Sequence, residues 1–230
     1  MSKTMPTSNG TVKLVKRQRI AKRAAEELTD GIYCNLGIGM PEMIADLIQE
    51  NINAKLHGEN GIIGLGPHAY NKEIDPDLTN ASKEPVTAFK GHCFTRSSDS
   101  FGIIRGNHLH MTILGGMQVS EKGDLANWLI PGEKIIGMGG AMDLVNSGSR
   151  VVVTMEHCNS KGNTKVVKAC TLPLTGRKCV SMVITDMGVF EFKNEQMYLT
   201  EIFSDPTLEE IKMNTTASFE VASNLKIRAV

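Results

Sequence analysis

Short apolar runs recur along this chain with little polar alternation inside them. They are "GIYCNLGIG" near residue 34, "NAKLH" near 55, "PVTAF" near 87, "HMTILGG" near 112, "KIIGMGG" near 136, "RVVVTMEH" near 152 and "SMVITDMGVFEF" near 184. A strand with one wet face alternates apolar with polar residues. Runs that do not alternate predict strands buried on both faces, as in a parallel sheet covered by helices. Before the first run, the pattern from about Val12 to a stop at Asp30-Gly31 predicts an amphipathic helix. Ala21, Ala24, Ala25 and Leu28 form its apolar stripe, and Arg19, Lys22 and Arg23 its polar face. Pro41 suits the first turn of a second helix striped by Ile44, Leu47 and Ile48, and "SSDSFGIIRG" and "GAMDLVNSG" predict two short ones. The elements assemble into an α/β fold, a parallel or mixed sheet covered by helices. One domain is expected over residues 11–225, with disorder confined to a tail over residues 1–10.

Bulk properties narrow the function classes. Lys plus Arg and Asp plus Glu are 25 each, so no global field favours a polyanion, and nucleic acid is not the expected partner. No apolar stretch has the length of a membrane span. The five cysteines, Cys34, Cys93, Cys158, Cys170 and Cys179, are odd in number and form no C-x-x-C pair. They read as reduced thiols in a cytoplasmic protein rather than a disulfide framework. The basic, acid-free first 25 residues faintly resemble a transit peptide, but the amphipathic helix explains them better. The 22 glycines exceed the usual share of about 7%, so many backbone segments must turn tightly or approach something closely.

Individual motifs leave alternatives open. "NLGIGMPEM" follows a strand and precedes a helix, but Glu42 stands where a dinucleotide fingerprint needs its third glycine. The loop fits a phosphate cradle and a plain turn equally. His108, His110, Glu156 and Cys158 are metal-ligand residue types without zinc-like spacing, so no metal site is expected. Gly137, Gly139 and Gly140 in "KIIGMGGAMD" offer bare backbone N–H groups, the material of an oxyanion hole, and also of a tight turn. The only tryptophan, Trp128, packs a core edge or lines a ligand. In "LHGENGIIGLGP", Glu59 stands between Gly58 and Gly61. Taken alone it is a solvated turn residue.

The motifs taken together change that reading. "NLGIGMP", "ENGIIGLGP", "DLTNASKE", "SDSFGIIRG", "TILGGMQVS", "GDLANWLIPG", "GMGGAMDLV", "VVVTMEHC" and "CTLPLTG" follow one another in this order. From about residue 15 to past residue 200 the chain resembles the β half of family I coenzyme A transferases. The resemblance implies the CoA-transferase (NagB/RpiA-like) fold. It also implies a subunit that needs an α partner of similar size, in a heterodimer or heterotetramer with the active site at the interface. No cofactor is implied, because CoA thioesters are themselves the substrates.

By the same resemblance Glu59, the acid of the E-N-G motif, is the nucleophile of a ping-pong reaction through a glutamyl-CoA thioester. Gly140 supplies a backbone donor to the oxyanion, and Asn35, Lys83 and Asn127 fall on positions that contact CoA. The implied reaction moves CoA from succinyl-CoA to acetoacetate. The same chemistry with acetate or butyrate and acetoacetate, or with 3-oxoadipate and succinate, is a near alternative. A non-catalytic CoA or phosphosugar sensor is a distant one. Two positions depart from the family pattern: Gly58, where relatives carry Ser before the Glu, and Gly91-His92 in place of a smaller pair.

Overall fold

The computed structural model describes residues 8–49, 51–135 and 137–229. Its frame is a ten-stranded mixed sheet. In chain order the strands are β1 (Tyr33–Leu36), β2 (Lys55–Gly58), β3 (Ile62–His68), β4 (Val86–Phe94), β5 (Met111–Gly115), β6 (Arg150–Thr154), β7 (Met182–Ile184), β8 (Gly188–Lys193), β9 (Gln196–Phe203) and β10 (Glu220–Arg228). Their spatial order is β10-β9-β8-β7-β6-β5-β1-β2-β3-β4. The central strands β2, β1, β5, β6 and β7 run parallel, and antiparallel pairs flank them on both sides. The C-terminal ends of those parallel strands therefore share one edge of the sheet, where ligands of open α/β sheets bind.

The missing polar alternation has the expected cause. Met111 and Ile113 of β5, Val152 of β6 and Met182 and Ile184 of β7 pack on one face with α1 (Ser8–Ala25) and a 3-10 helix, Met40–Leu47. Leu114, Val151, Val153 and Val183 point to the other face. There they pack with Ile104 of α2 (Ser97–Arg105), Leu144 of α3 (Ala141–Val145) and Ile211 of α4 (Leu208–Met213). Both faces of the central strands are dry. Truncating a core side chain such as Ile113, which is fully buried, costs about 2–5 kcal/mol.

Several local expectations need correction. Arg23 does not lie on a wet helix face: it is 6% exposed. Its guanidinium bonds Glu201 of β9 at 2.7 and 2.9 Å and Glu27 at 2.6 Å. Burial alone would lower the Arg23 pKa, but the bonds to Glu201 and Glu27 outweigh it and hold the charge in place. The run "KIIGMGG" forms no strand of the main sheet. Lys134–Ile135 pairs only with Leu129–Ile130, Ile135 is exposed, and Ile136 lies outside the described residues. "SMVITDMGVFEF" is two antiparallel strands, β7 and β8, because the Thr185 hydroxyl accepts from the N–H groups of Met187 and Gly188 and turns the chain. The α-helix ends at Ala25, five residues before the Asp30 stop, and the Pro41 helix is 3-10. Of the tail expected over 1–10, residues 1–7 lie outside the described residues and 8–10 open α1.

Candidate active site

Glu59 sits at the tip of the tight β2–β3 connection, just past the C-terminal end of β2. Gly58 pairs with Ile62, and the Gly61 N–H donates to the Gly58 carbonyl at 3.0 Å. Gly61 has φ +114°, and a methyl there would overlap the Thr95 carbonyl. Thr95 in turn donates its N–H to the Gly61 carbonyl at 2.8 Å. Only glycine meets both demands, so the third residue of E-N-G is fixed by backbone geometry. At Gly58 a side chain would run into Asn60 Oδ1 and Ile62, so a serine there requires Asn60 to move.

A buried chain of hydrogen bonds supports the turn from beneath. The Asn35 amide nitrogen donates to the His57 carbonyl at 3.0 Å, which fixes the orientation of the amide. The same nitrogen lies 3.0 Å from His57 Nδ1. Nδ1 therefore accepts, and Nε2 carries the ring proton. His57 Nε2 is 3.0 Å from Ser100 Oγ, and that hydroxyl donates to the Glu59 carbonyl at 2.9 Å. Burial pushes the His57 pKa down to about 4, so the imidazole stays neutral and the direction of the bonds is set.

The Glu59 carboxylate meets the "GMGG" loop. It packs directly on Gly140, where a methyl would overlap Oε2 and crowd the Phe101 ring. Gly140 has an ordinary helical φ of −83°, so its bareness serves the close approach of Glu59 rather than a backbone turn. Burial raises the Glu59 pKa above the ordinary carboxylate value. The Gly140 N–H opposes that rise, and the nearby charge of Asp143 adds to it. A carboxylate stripped of water and touched by one aimed donor is a better nucleophile than a solvated one.

Glu59 opens onto a cavity of about 550 Å³ along the C-terminal edge of the sheet. Its walls are the loops after β1 (Gly37 to Met40), β5 (Gly115 to Met117) and β6 (Met155, Glu156), closed by Gly137 to Ala141, Asn127, Arg17 and Lys165. The "NLGIGMPEM" loop is thus both a turn and a cavity wall. Glu42, 4% exposed, accepts the Gly39 N–H at 2.7 Å and the Ser82 N–H at 3.0 Å, and also the Ser82 hydroxyl. The residue that breaks the dinucleotide fingerprint ties the glycine loop to the segment carrying Lys83.

The expected site residues therefore divide. Glu59, Gly140 and Asn127 line one cavity. The Asn127 amide donates to the Gly115 carbonyl at 3.1 Å and accepts from Thr175 Oγ1 at 2.6 Å, so it shapes the end of β5. Asn35 is buried behind Glu59 and faces His57 rather than the cavity. Lys83 is exposed, at φ +64°, in a turn beside the cavity-lining Ala81. Trp128 donates to the Leu174 carbonyl at 3.2 Å. Of the metal-type residues, His110 Nδ1 accepts the Tyr33 N–H at 3.0 Å. Cys158 bonds Asn214.

His57, Ser100, Arg17 and Lys165 were not singled out in the sequence. Only the alternation of β2, which puts Leu56 into the core and His57 beside it, was available to find His57.

A mixed α/β sheet with a half-buried acid at the C-terminal edge of its parallel strands, packed on a glycine loop in one cavity, defines the candidate site. The Coenzyme A transferase family model matches residues 17–214, and the chain belongs to that family. It is 52% identical over 213 residues to succinyl-CoA:3-ketoacid coenzyme A transferase 2A, mitochondrial, of Rattus norvegicus, with 92% of this chain and 41% of the relative covered. It is 50% identical over 209 residues to one subunit of the probable succinyl-CoA:3-ketoacid coenzyme A transferase of Bacillus subtilis (strain 168), with 91% of this chain and 97% of the relative covered. The chain thus spans about two fifths of the rat protein and nearly all of the bacterial subunit. The fold matches the apoenzyme of acyl-CoA transferase (YdiF) from Escherichia coli O157:H7 with a TM-score of 0.73, at 18% identity, over 99% of this chain and 44% of that one. Among the described residues no helix is long and apolar enough to cross a membrane.

Proposed function

We propose that this chain is the nucleophile-bearing β subunit of a CoA-transferase that moves CoA from succinyl-CoA to acetoacetate. The observation that carries the reading is the packing of the half-buried Glu59 carboxylate directly on Gly140, in a chain of this family. The Glu59 carboxylate attacks the thioester carbonyl of the acyl-CoA. As the carbonyl re-forms, the C–S bond breaks and an acyl-glutamyl anhydride and CoA thiolate result. The thiolate attacks the glutamyl carbonyl, the anhydride C–O bond breaks, and the free carboxylate departs from a glutamyl-CoA thioester. A second carboxylate then runs these steps in reverse, leaves as its CoA ester, and restores Glu59. Protons and electrons balance with no metal or redox cofactor.

The negative charge on each tetrahedral oxygen needs donors, and one aimed donor is commonly worth about 3–4 kcal/mol. Gly140 N–H is this chain's donor, and an α subunit supplies the second. The anhydride demands exclusion of water, so the open cavity closes against that partner. Contacts of Asn127 and Lys83 with the remote part of CoA then supply binding energy to the reacting centre.

The test is the mass of the Glu59 peptide after the chain and its α partner are mixed with acetoacetyl-CoA and no acceptor. A CoA-sized adduct on Glu59 is expected. An unmodified peptide from a complex that still transfers CoA overturns the mechanism. A complex that binds CoA and transfers nothing points instead to a sensor. Rates with a panel of acceptors fix the acid pair.

A further inference from the structure

The cavity that holds Glu59 has a second chemical end. Following the sheet from β2 through β1 and β5 to β6 crosses three strand spacings, about 14 Å in all. It leads from Glu59 to Glu156, just past the end of β6. There Arg17 of α1 and Lys165 line the wall. Arg17 Nε is buried without a hydrogen-bond partner, and its nearest acid, Glu156, is 3.9 Å away. Among the described residues Lys165 makes no ion pair or side-chain hydrogen bond. Burial pushes its pKa down to about 8, against the pull of Glu156 and Asp186. Asp186 is already engaged, by Lys16 at 2.8 Å and by the His157 N–H at 2.7 Å. Two cations thus face a single loosely held acid, and the desolvated Lys165, lacking a partner, is costly to keep charged until an anion arrives.

We propose that Arg17 and Lys165 form a carboxylate subsite that binds the free end of a dicarboxylic acyl group whose other end reacts at Glu59. The inference rests on the function proposed above and names what selects the substrate there. Glu59 and the two cations line the same cavity, with β1 and β5 between the strands that carry Glu59 and Glu156. The gap left between them suits a short diacid better than the much longer pantetheine arm. A substrate with a negative terminus is drawn to the cationic end and repelled by ionised Glu59, which presents its thioester carbonyl to the nucleophile. A monocarboxylic acyl group of the same length lacks that second contact.

The experiment uses the complex with the α partner and compares succinyl-CoA with butyryl-CoA, in which a methyl replaces the distal carboxylate, at one fixed acceptor. Lys165→Met is expected to lower kcat/KM for succinyl-CoA by about 10- to 100-fold, the weight of one charge-assisted hydrogen bond. The butyryl-CoA value should change little, and Lys165→Arg should recover much of the loss. Arg17→Met should act in the same direction. An equal loss with both donors, which is what binding of a CoA phosphate would give, overturns the proposal, as does no loss with either.

Should the variants fail to fold, the wild-type complex still decides, with succinate and butyrate as competing inhibitors. Succinate should bind about tenfold more tightly, with proton uptake near pH 8 as Lys165 becomes charged. Equal binding without proton uptake refutes the subsite. These outcomes are separate from failure of the transferase reading, which would show as no Glu59 adduct and no transfer in the wild-type complex.

Discussion

His57 Nε2 lies 3.0 Å from Ser100 Oγ, and through that hydroxyl the imidazole is linked to the Glu59 carbonyl. None of these groups reaches the substrate, so His57 and Ser100 are positioning residues. They hold the main chain of Glu59 against the sheet, with Asn35 as anchor. Ser100→Ala leaves the Glu59 carbonyl and the His57 N–H without a partner. Displacing a nucleophile by about 1 Å can cost about 100-fold in rate. We expect kcat to fall by about 10- to 100-fold on that basis, with KM for CoA esters nearly unchanged and slower build-up of the Glu59 adduct. A variant that raises KM and keeps kcat would show that Ser100 serves binding instead.

Gly140→Ala tests the carboxylate contact more directly. The backbone there is ordinary for alanine, and the added methyl meets Glu59 and Phe101 first. The expected result is a chain whose melting temperature falls by less than about 4 °C, a cost of about 1 kcal/mol at this size. Transfer should drop by about 100-fold or more, as when an oxyanion donor is lost. Steady-state rates beside a thermal melt check it; near-wild-type turnover would detach Gly140 from catalysis.

Much of this was legible in the sequence, for identifiable reasons. Strands such as β5 and β6 announce themselves because both faces are dry, so Met111 to Leu114 and Val151 to Val153 need no polar alternation. Glu59 and Gly140 could be named from motifs, since each motif is a local stretch of chain. Other features depend on partners far away in sequence. The burial of Arg23 is decided by Glu201, 178 residues on. The amide of Asn35 is oriented by His57, 22 residues later, which no local motif announces. Arg17 and Lys165 belong to elements that only the crossing order of the sheet brings to one cavity. The short pair around Ile135 shows the converse error, an apolar residue left exposed on a two-residue strand outside the main sheet.

Glu59→Gln should stabilise the chain while abolishing transfer. Burial raises the folded-state pKa of Glu59 above its unfolded value. Such a group contributes stability that is fully present below the unfolded pKa and is lost as pH rises through the folded one. At neutral pH the native chain therefore carries the cost of an ionised, half-buried acid, and the neutral amide removes it. A melting temperature about 1–3 °C above wild type at pH 7.5 is expected, the effect of about 0.5–1 kcal/mol at this size. The gain should vanish near pH 4. The same shift places the acid limb of kcat/KM above the ordinary glutamate range, and a limb within that range would contradict both statements.

Acid sensitivity of the fold should come first from two histidines. Burial pushes the pKa values of both His57 and His157 down to about 4. Each ring is held neutral inside the core; His157 lies among Thr185, the Asn214 carbonyl and Thr215. A histidine with a depressed folded pKa contributes stability that is complete above its unfolded value, about 6.5, and is lost as pH falls toward the folded value near 4. Two protons taken up on unfolding give a limiting slope of about 2.7 kcal/mol per pH unit between those limits. The carboxylates of Glu27, Asp186 and Glu201, in which bonds to cations outweigh burial, act below this window. His68, in which bonds to Glu84 and Asp46 outweigh burial and raise the pKa, acts above it. Glu59 acts inside it with the opposite sign, so the measurement belongs in the Glu59→Gln background, as urea midpoints at half-unit steps from pH 7 to 4.5. Adding His57→Gln should halve the slope, since one of the two protons is removed. An unchanged slope would mean that His57 titrates normally in the folded chain, and that the neutral tautomer linking Asn35 to Ser100 is not held.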